Sequence, residues 1–283
     1  RIRAGMTGAA SPWCQRWQDG RQTWRHPSAG GFDASRYDVD ELDEPTAKRF
    51  LMTNHYAGAS YPAALRRYGM IDRADGQLVG VIVLGAPASS KVLTTAFPTL
   101  EPYTESVEAS RIALVDQVPS NGETWLLARV FRRLRASGVR GVVSFADPMP
   151  RRTAAGQLVK AGHIGLIYQA SAGAIYTGRG TPRTLTLLPD GTVLNARSAQ
   201  KVRAQEQGHR YVQQRLVDLG ATPLQTGQDP AGWLAQALQD IGARRTRHAG
   251  NHRYLFRLGA SERDRSRIPI GLQPATRPRH ADG

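Results

Sequence analysis

The chain has 283 residues, 38 Lys or Arg against 23 Asp or Glu and a formal charge of +15, and its 40% hydrophobic residues exclude wholesale disorder. A single cysteine, Cys14, excludes an intrachain disulfide framework and any Cys-based zinc finger, and the longest clean apolar run, Leu78 to Ala86, is about half of the ~20 residues that a membrane span needs. These numbers imply a soluble, cytoplasmic protein with no membrane partner and an affinity for anions.

The charge is uneven. Residues 1–31 carry five Arg and one acid, residues 32–183 carry 18 basic and 14 acidic residues, and residues 184–283 carry 15 basic and eight acidic ones. Only four of the basic residues are Lys. Codon bias explains Arg over Lys but not the surplus, and Arg is the better fork for phosphate.

Residues 1–32 show no sustained period and read as a flexible leader; without an apolar centre they are not a secretory signal. Acids cluster from Asp38 to Glu44 before Pro45 and a short helical pattern, and Asn54-His55-Tyr56 follows. Leu78 to Gly85, after the turn signal Asp75-Gly76, predicts a buried strand, and Val107 to Val115 a second one carrying Glu108, Ser110 and Arg111. A turn over Asp116–Gly122 leads to a helix over Glu123–Ala136, with Trp125, Leu126, Val130, Phe131 and Leu134 at helical spacing and Gly138 as its stop. Val139 to Ala146 reads as a strand closing on Asp147-Pro148, Arg152 to Lys160 as a short helix, and Ile164–Tyr168 and Ala174–Tyr176 as strands. The fold class is therefore α/β (α+β), a mixed, partly parallel central sheet flanked by helices.

Beyond Arg183, Pro189-Asp190-Gly191 marks a hairpin. A basic helix is expected over Ser198–Leu219 and another over Pro230–Ile241 with Asp229 as its cap. Arg244, Arg245 and Arg247 precede a strand-like Arg253-Tyr254-Leu255-Phe256, and this mixture of cations and aromatics suits double-stranded DNA. The domain reading is a catalytic domain over 33–183, a basic helical and hairpin extension for DNA contact over 184–260, and a mobile basic tail over 261–283.

Gln117-Val-Pro-Ser120-Asn121-Gly122 is similar to the Gln/Arg-x-x-Gly-x-Gly/Ala loop of acyl-CoA-binding acetyltransferases of the GNAT class, with Ser120 in place of the first glycine. In that class backbone N–H groups at a helix N-terminus hold a pyrophosphate. Here Glu123 sets a negative charge in the first turn, which repels such a ligand although it suits the helix dipole. Glu108-x-Ser110-Arg111, Asn121-x-Glu123-Thr124, Val143-Ser144-Phe145-Ala146-Asp147, Gly162-His163-Ile164-Gly165 with Tyr168-Gln169-Ala170, and Tyr176-Thr177-Gly178 occur in one order. With Asn54-His55-Tyr56 ahead of them, the chain resembles the Mom family of bacteriophage adenine-modification proteins over residues 50–180.

The resemblance implies a GNAT-like fold, adenine in DNA as substrate, and a carbamoylmethyl or methylcarbamoyl substituent on the exocyclic N6 that blocks restriction. It implies catalytic roles for His55, Tyr56, Asp147, His163 and Tyr168, and cofactor contacts at Gln117, Ser120, Asn121 and Gly122. Substrate or DNA contacts fall on Ser110, Arg111, Tyr176, Arg244, Arg245, Arg247, Arg253 and Tyr254. An acyl-CoA donor is one cofactor reading, and bound iron on a His55, Asp147 and His163 face is another. Plainer roles compete: Asp147 as a helix cap, His163 as a turn residue, His55-Tyr56 as a packed helix end, Arg111 paired with Glu108 or Asp116, and Tyr168 as core. Two other functions also stand open, an acyltransferase acting on a protein or small amine and a non-catalytic DNA-binding protein on a degenerate GNAT scaffold.

Overall fold

The computed structural model describes residues 14–18, 21–25, 31–55, 61–119 and 121–279, so Tyr56, Ser120 and most of the expected leader lie outside the described residues. Two compact units divide the chain. The first holds the residues up to Asp147, Ile164–Gly178 and those from His252 to His280; the second holds Pro148–His163 and Arg179–Asn251.

In chain order, β1 (Cys14–Gln18) and β2 (Arg21–Arg25) pair antiparallel. Then follow β3 (Tyr37–Glu41), α1 (Glu44–Asn54), β4 (Ala64–Asp72), β5 (Leu78–Gly85), α2 (Lys91–Ala96), β6 (Ser106–Leu114), α3 (Gly122–Ala136) and β7 (Gly141–Ala146). Next come β8 (Arg151–Arg152), β9 (Leu158–Lys160), α4 (Leu166–Gln169), β10 (Ile175–Arg179), β11 (Arg183–Leu187) and β12 (Val193–Leu194). The chain continues through α5 (Ala196–Arg203), α6 (His209–Asp218), α7 (Pro230–Asp240), β13 (Arg244–His248), β14 (His252–Arg257) and α8 (Glu262–Ser266).

The first unit is built on a seven-stranded sheet ordered β10-β14-β7-β6-β5-β4-β3. Only β6 and β7 have a parallel register among the pairs β3–β4, β4–β5, β5–β6, β6–β7 and β7–β14, so the sheet is mixed, as expected. Side chains alternate across β5 and serve both faces. Ile82 and Leu84 join the cluster of α3 with Leu126, Val130 and Leu134, while Val81 and Val83 pack with Ala47 and Leu51 of α1. Each such buried aliphatic side chain contributes roughly 1.5–3 kcal/mol. The stop of α3 is a Schellman turn: Gly138 sits at φ +89, and the Val139 N–H donates to the Leu134 carbonyl at 2.9 Å.

The second unit carries a sheet ordered β12-β11-β13, the β8–β9 hairpin and a core of Leu188, Leu194, Ala199, Val202, Val212, Leu216, Trp233, Leu234 and Ala237. Asp229 caps α7 as expected, accepting from the N–H groups of Ala231 and Gly232.

Several expectations are corrected. Arg152–Lys160 is a hairpin rather than a helix, because Gly156 at φ +82 turns the chain back. Ile164–Tyr168 is no strand; Gly165 at φ +79 starts α4 instead. The single helix over Ser198–Leu219 is two, broken by Gln205 at φ +51 and Gly208 at φ +85. Arg253–Phe256 is a strand as expected, but it lies inside the sheet of the first unit between β10 and β7. The tail after Ser261 begins with α8 and then buries Ile268 among Leu93, Phe97, Val143 and Leu255. It is held further by Arg277, which donates to the carbonyls of Gln169 and Ala174.

Candidate functional site

The parallel pairing of β6 with β7 runs only from Ser106↔Gly141 to Ala109↔Ser144. Both strands continue past it, β6 paired with β5 as far as Leu114 and β7 paired with β14 as far as Ala146. The central sheet therefore opens as a wedge between Ser110–Leu114 and Phe145–Ala146. At its apex β6 bulges. Leu84 pairs with Ala109 and Val83 with Arg111, so Ser110 is the extra residue. Gly85 makes room for it, since a Cβ there would meet the Ser110 Oγ at 2.7 Å and the Ala63 carbonyl oxygen at 2.8 Å.

Glu108, Ser110 and Arg111 form a connected group at this apex. The Ser110 hydroxyl donates to Glu108 Oε1 at 3.2 Å, and Arg111 Nη1 donates to the Ser110 carbonyl at 2.7 Å. Burial pushes the Glu108 carboxyl above the ordinary carboxylate range, outweighing the opposing effects of Ser110 and the Arg111 charge. Among the described residues Arg111 Nε is buried with no hydrogen-bond partner. A half-buried carboxyl of raised pKa beside an unsatisfied donor, at an opening in a sheet, is equipped to take a proton from a bound nucleophile. Glu108 was legible as a lone acid between the buried Val107 and Ala109, yet sequence reasoning gave it only a pairing role. Ser110 and Arg111, expected as substrate contacts, lie at this apex with Glu108.

The loop from β6 to α3 has the backbone of an anion cradle. Asn121 adopts φ 75, a left-handed conformation, and its side chain makes no capping hydrogen bond to α3. Its carbonyl accepts from the Trp125 N–H at 3.0 Å, and Gly122, the first helical residue, is buried. The helix N-terminus is thus left without its usual side-chain cap, and the dipole favours a negative group. Gln117 precedes the buried Val118 in the same loop. The N–H groups of this backbone suit an anion such as a pyrophosphate, while Glu123 in the first turn of α3 sets a negative charge against it.

Asp147 ends β7 and is 8% exposed. His55 terminates α1, where its N–H donates to the Leu51 carbonyl at 3.0 Å. His163 belongs to the second unit and follows Gly162, whose φ of +73 makes the turn. Among the described residues no group of three or more His, Cys, Asp or Glu is placed to hold a metal ion. His55 and Asp147 belong to the first unit and His163 to the second, and the iron face expected from the three finds no support among the described residues.

The tyrosines are corrected as well. Tyr168, Tyr176 and Tyr254 are packed into the core of the first unit, with the Tyr254 ring 5.5 Å from Tyr168 and 5.3 Å from Tyr176. Tyr254 is 0% exposed, donates to the Ile164 carbonyl and accepts from Gln169 Nε2 at 2.9 Å. Burial pushes its phenol up to about 12. Tyr176 Oη and His252 Nδ1 are 2.8 Å apart. Arg253 is spent locally, its Nε on Thr177 Oγ1 at 3.0 Å and its Nη2 on the Thr177 carbonyl at 3.2 Å. Neither Tyr254 nor Tyr168 offers a face to DNA or to a flipped base. In contrast, Arg244, Arg245 and Arg247 are exposed on β13, an edge strand of the second unit.

Comparison with known proteins adds the following. Among curated proteins none matches the chain. Similar solved structures include a Salmonella typhimurium protein described as an acetyltransferase with its cofactor acetyl-CoA, at 10% identity over 80% of this chain and 96% of that one, with a TM-score of 0.38. A second is a spermidine N-acetyltransferase from Vibrio cholerae in complex with CoA and spermine, at 11% identity over 57% and 89%, with a TM-score of 0.33. The family model described as the Mom protein family matches residues 36–275, which include every strand of the seven-stranded sheet, the wedge, the β6–α3 loop and the basic second unit. With that span covered, the chain belongs to the Mom protein family.

Proposed function

We propose that the chain transfers a carbamoylmethyl or methylcarbamoyl group to the exocyclic N6 of adenine in double-stranded DNA. The observation that carries this reading is the half-buried Glu108, its carboxyl raised by desolvation, at the opening between β6 and β7 in a chain of the Mom family. Adenine N6 is a poor nucleophile because its lone pair is delocalised into the ring, and in a duplex it is paired. The base therefore has to leave the stack, at a cost of a few kcal/mol. Its amine then needs a base in a dry place, and Glu108 supplies one with its carboxyl raised toward neutral pH.

A CoA thioester held by the β6–α3 loop would supply a carbonyl carbon and a thiolate leaving group, which suits transfer of the methylcarbamoyl group; the carbamoylmethyl group attaches through a methylene and needs an alkylating donor instead. As the N6–carbon bond forms, one N6 proton passes to the Glu108 carboxylate. Glu108 would hold that proton at its carboxyl and could return it to the thiolate that such a thioester would release. Arg111 offers its unsatisfied Nε donor to charge developing on the transferred group. Asp147, at the end of β7, orients the acceptor. The second unit supplies the grip on DNA through Arg244, Arg245 and Arg247.

The substituted N6 changes the donor pattern in the major groove, which is the edge that restriction enzymes read at adenine. The test uses purified full-length chain with an acyl-CoA donor and a duplex, followed by nucleoside mass spectrometry. A mass increase on deoxyadenosine, lost when 2-aminopurine replaces adenine, supports the reading. Modification of a protein or polyamine instead, with DNA untouched, overturns it.

A further inference from the structure

The second unit contains a pair of helices whose packing leaves one face with no protein partner. Helix α5, a five-residue turn ending at Gly208 (φ +85) and α6 follow one another. Ala199 and Val202 of α5, Val212 and Leu216 of α6, and Trp233, Leu234 and Ala237 of α7 bury together. On α6 the buried pair Val212 and Leu216 defines one side. The opposite side carries Arg210, Tyr211 and Gln214, all exposed. Tyr211 is 69% exposed, the most exposed large hydrophobic side chain among the described residues. Arg210 has no ion pair or hydrogen-bonded side-chain partner, and neither has Arg203 at the end of α5. The one acid of this face, Asp218, closes the helix and accepts from Gln214 Nε2 at 2.8 Å.

The surrounding charge selects the partner. Residues 148–163 and 179–251 carry thirteen Lys or Arg against five Asp or Glu, more than half of the whole chain's surplus. Resting on the DNA-substrate reading above, we infer that α5, the turn and α6 form a helix-turn-helix reader, with α6 lying in the major groove of duplex DNA. The N-terminal residues of a second helix reach base edges in that motif. Arg210 forks onto guanine, the Gln214 amide suits adenine, and Tyr211 covers a thymine methyl or a phosphate. Arg244, Arg245 and Arg247 then provide backbone grip without sequence, while α6 chooses the context around the modified adenine.

The test is selection of a randomised duplex library by the full-length chain, repeated for Tyr211→Ala, Gln214→Ala, Arg210→Ala and the control Gln239→Ala on the exposed side of α7. Circular dichroism checks that each variant folds. The native chain and the control should enrich one motif. Tyr211→Ala and Gln214→Ala should each weaken binding to that motif by about 5- to 100-fold, with scrambled duplex bound within about 3-fold of the native chain. Arg210→Ala should lose the motif too. Retention of the same motif by folded α6 variants overturns the inference, as does duplex binding by the native chain that enriches nothing. Absence of any duplex binding by the native chain overturns the DNA-substrate reading itself.

Discussion

Glu108 carries a cost in the fold that its proposed role explains. Burial raises its pKa in the folded chain above the ordinary carboxyl value, so the folded state binds the proton more tightly than the unfolded state. Stability from this group is therefore full below the ordinary carboxyl pKa and falls as pH rises through the folded one. Glu108→Gln removes that cost. The variant should be as stable as the native chain or more so at neutral pH, while transfer falls by about 10²-fold or more. Native activity should rise with pH through a limb set above the ordinary carboxylate range, and the residual activity of the variant should lack it; thermal melts and pH–rate profiles check both. A second group has a purely structural expectation. Tyr254→Phe removes the hydroxyl that donates to the Ile164 carbonyl and accepts from Gln169, leaving that carbonyl only the long 3.5 Å hydrogen bond from Gln169 Nε2. A loss of about 1–3 kcal/mol in denaturant unfolding should follow, with no selective effect on DNA binding. Tyr254 misled sequence reasoning because it stands between Arg253 and the apolar Leu255; only the pairing of β14 with β7 shows that its ring turns inward.

At the scale of elements, the wedge depends on a bulge, and the bulge depends on Gly85. Gly85→Ala would force its Cβ against Ser110 Oγ and the Ala63 carbonyl, moving the Ser110–Glu108 contact. Transfer should fall at least about 10-fold while helical content, read by circular dichroism, stays constant. The elements that sequence showed best have a period carried entirely by their own residues: β5 with its unbroken apolar run, α3 with Leu126, Val130 and Leu134, and α7 with its Asp229-Pro230 start. The β8–β9 hairpin and α4 were misread because single glycines at positive φ, Gly156 and Gly165, decide them. At Gly165 the reason is tertiary: a Cβ would sit 2.8 Å from Tyr254 Cε2 and 2.9 Å from Tyr168 Cδ2. The wedge itself was not legible, because where two parallel strands stop pairing is fixed by β14 and β5 on their outer sides.

For the whole molecule, the chain divides into two compact units whose boundaries differ from those anticipated from the charge. Residues 252–257 were grouped with the basic extension, and instead they complete the sheet of the first unit. What remains of the extension carries eight basic against five acidic residues, and three of the eight, Arg244, Arg245 and Arg247, stand exposed on one edge strand. Replacing these three with Ala should flatten the slope of log K against log salt by about 2–3 and leave the fold of the first unit intact, as measured by binding titrations and by melting. The most direct measurement of the central claim is mass spectrometry of nucleosides from the DNA of cells expressing the chain or its Glu108→Gln variant. A modified deoxyadenosine with the native chain, absent with the variant at equal expression, is the predicted result. Unmodified deoxyadenosine in cells that hold folded native protein and its donor, or equal modification by the variant, would contradict the account.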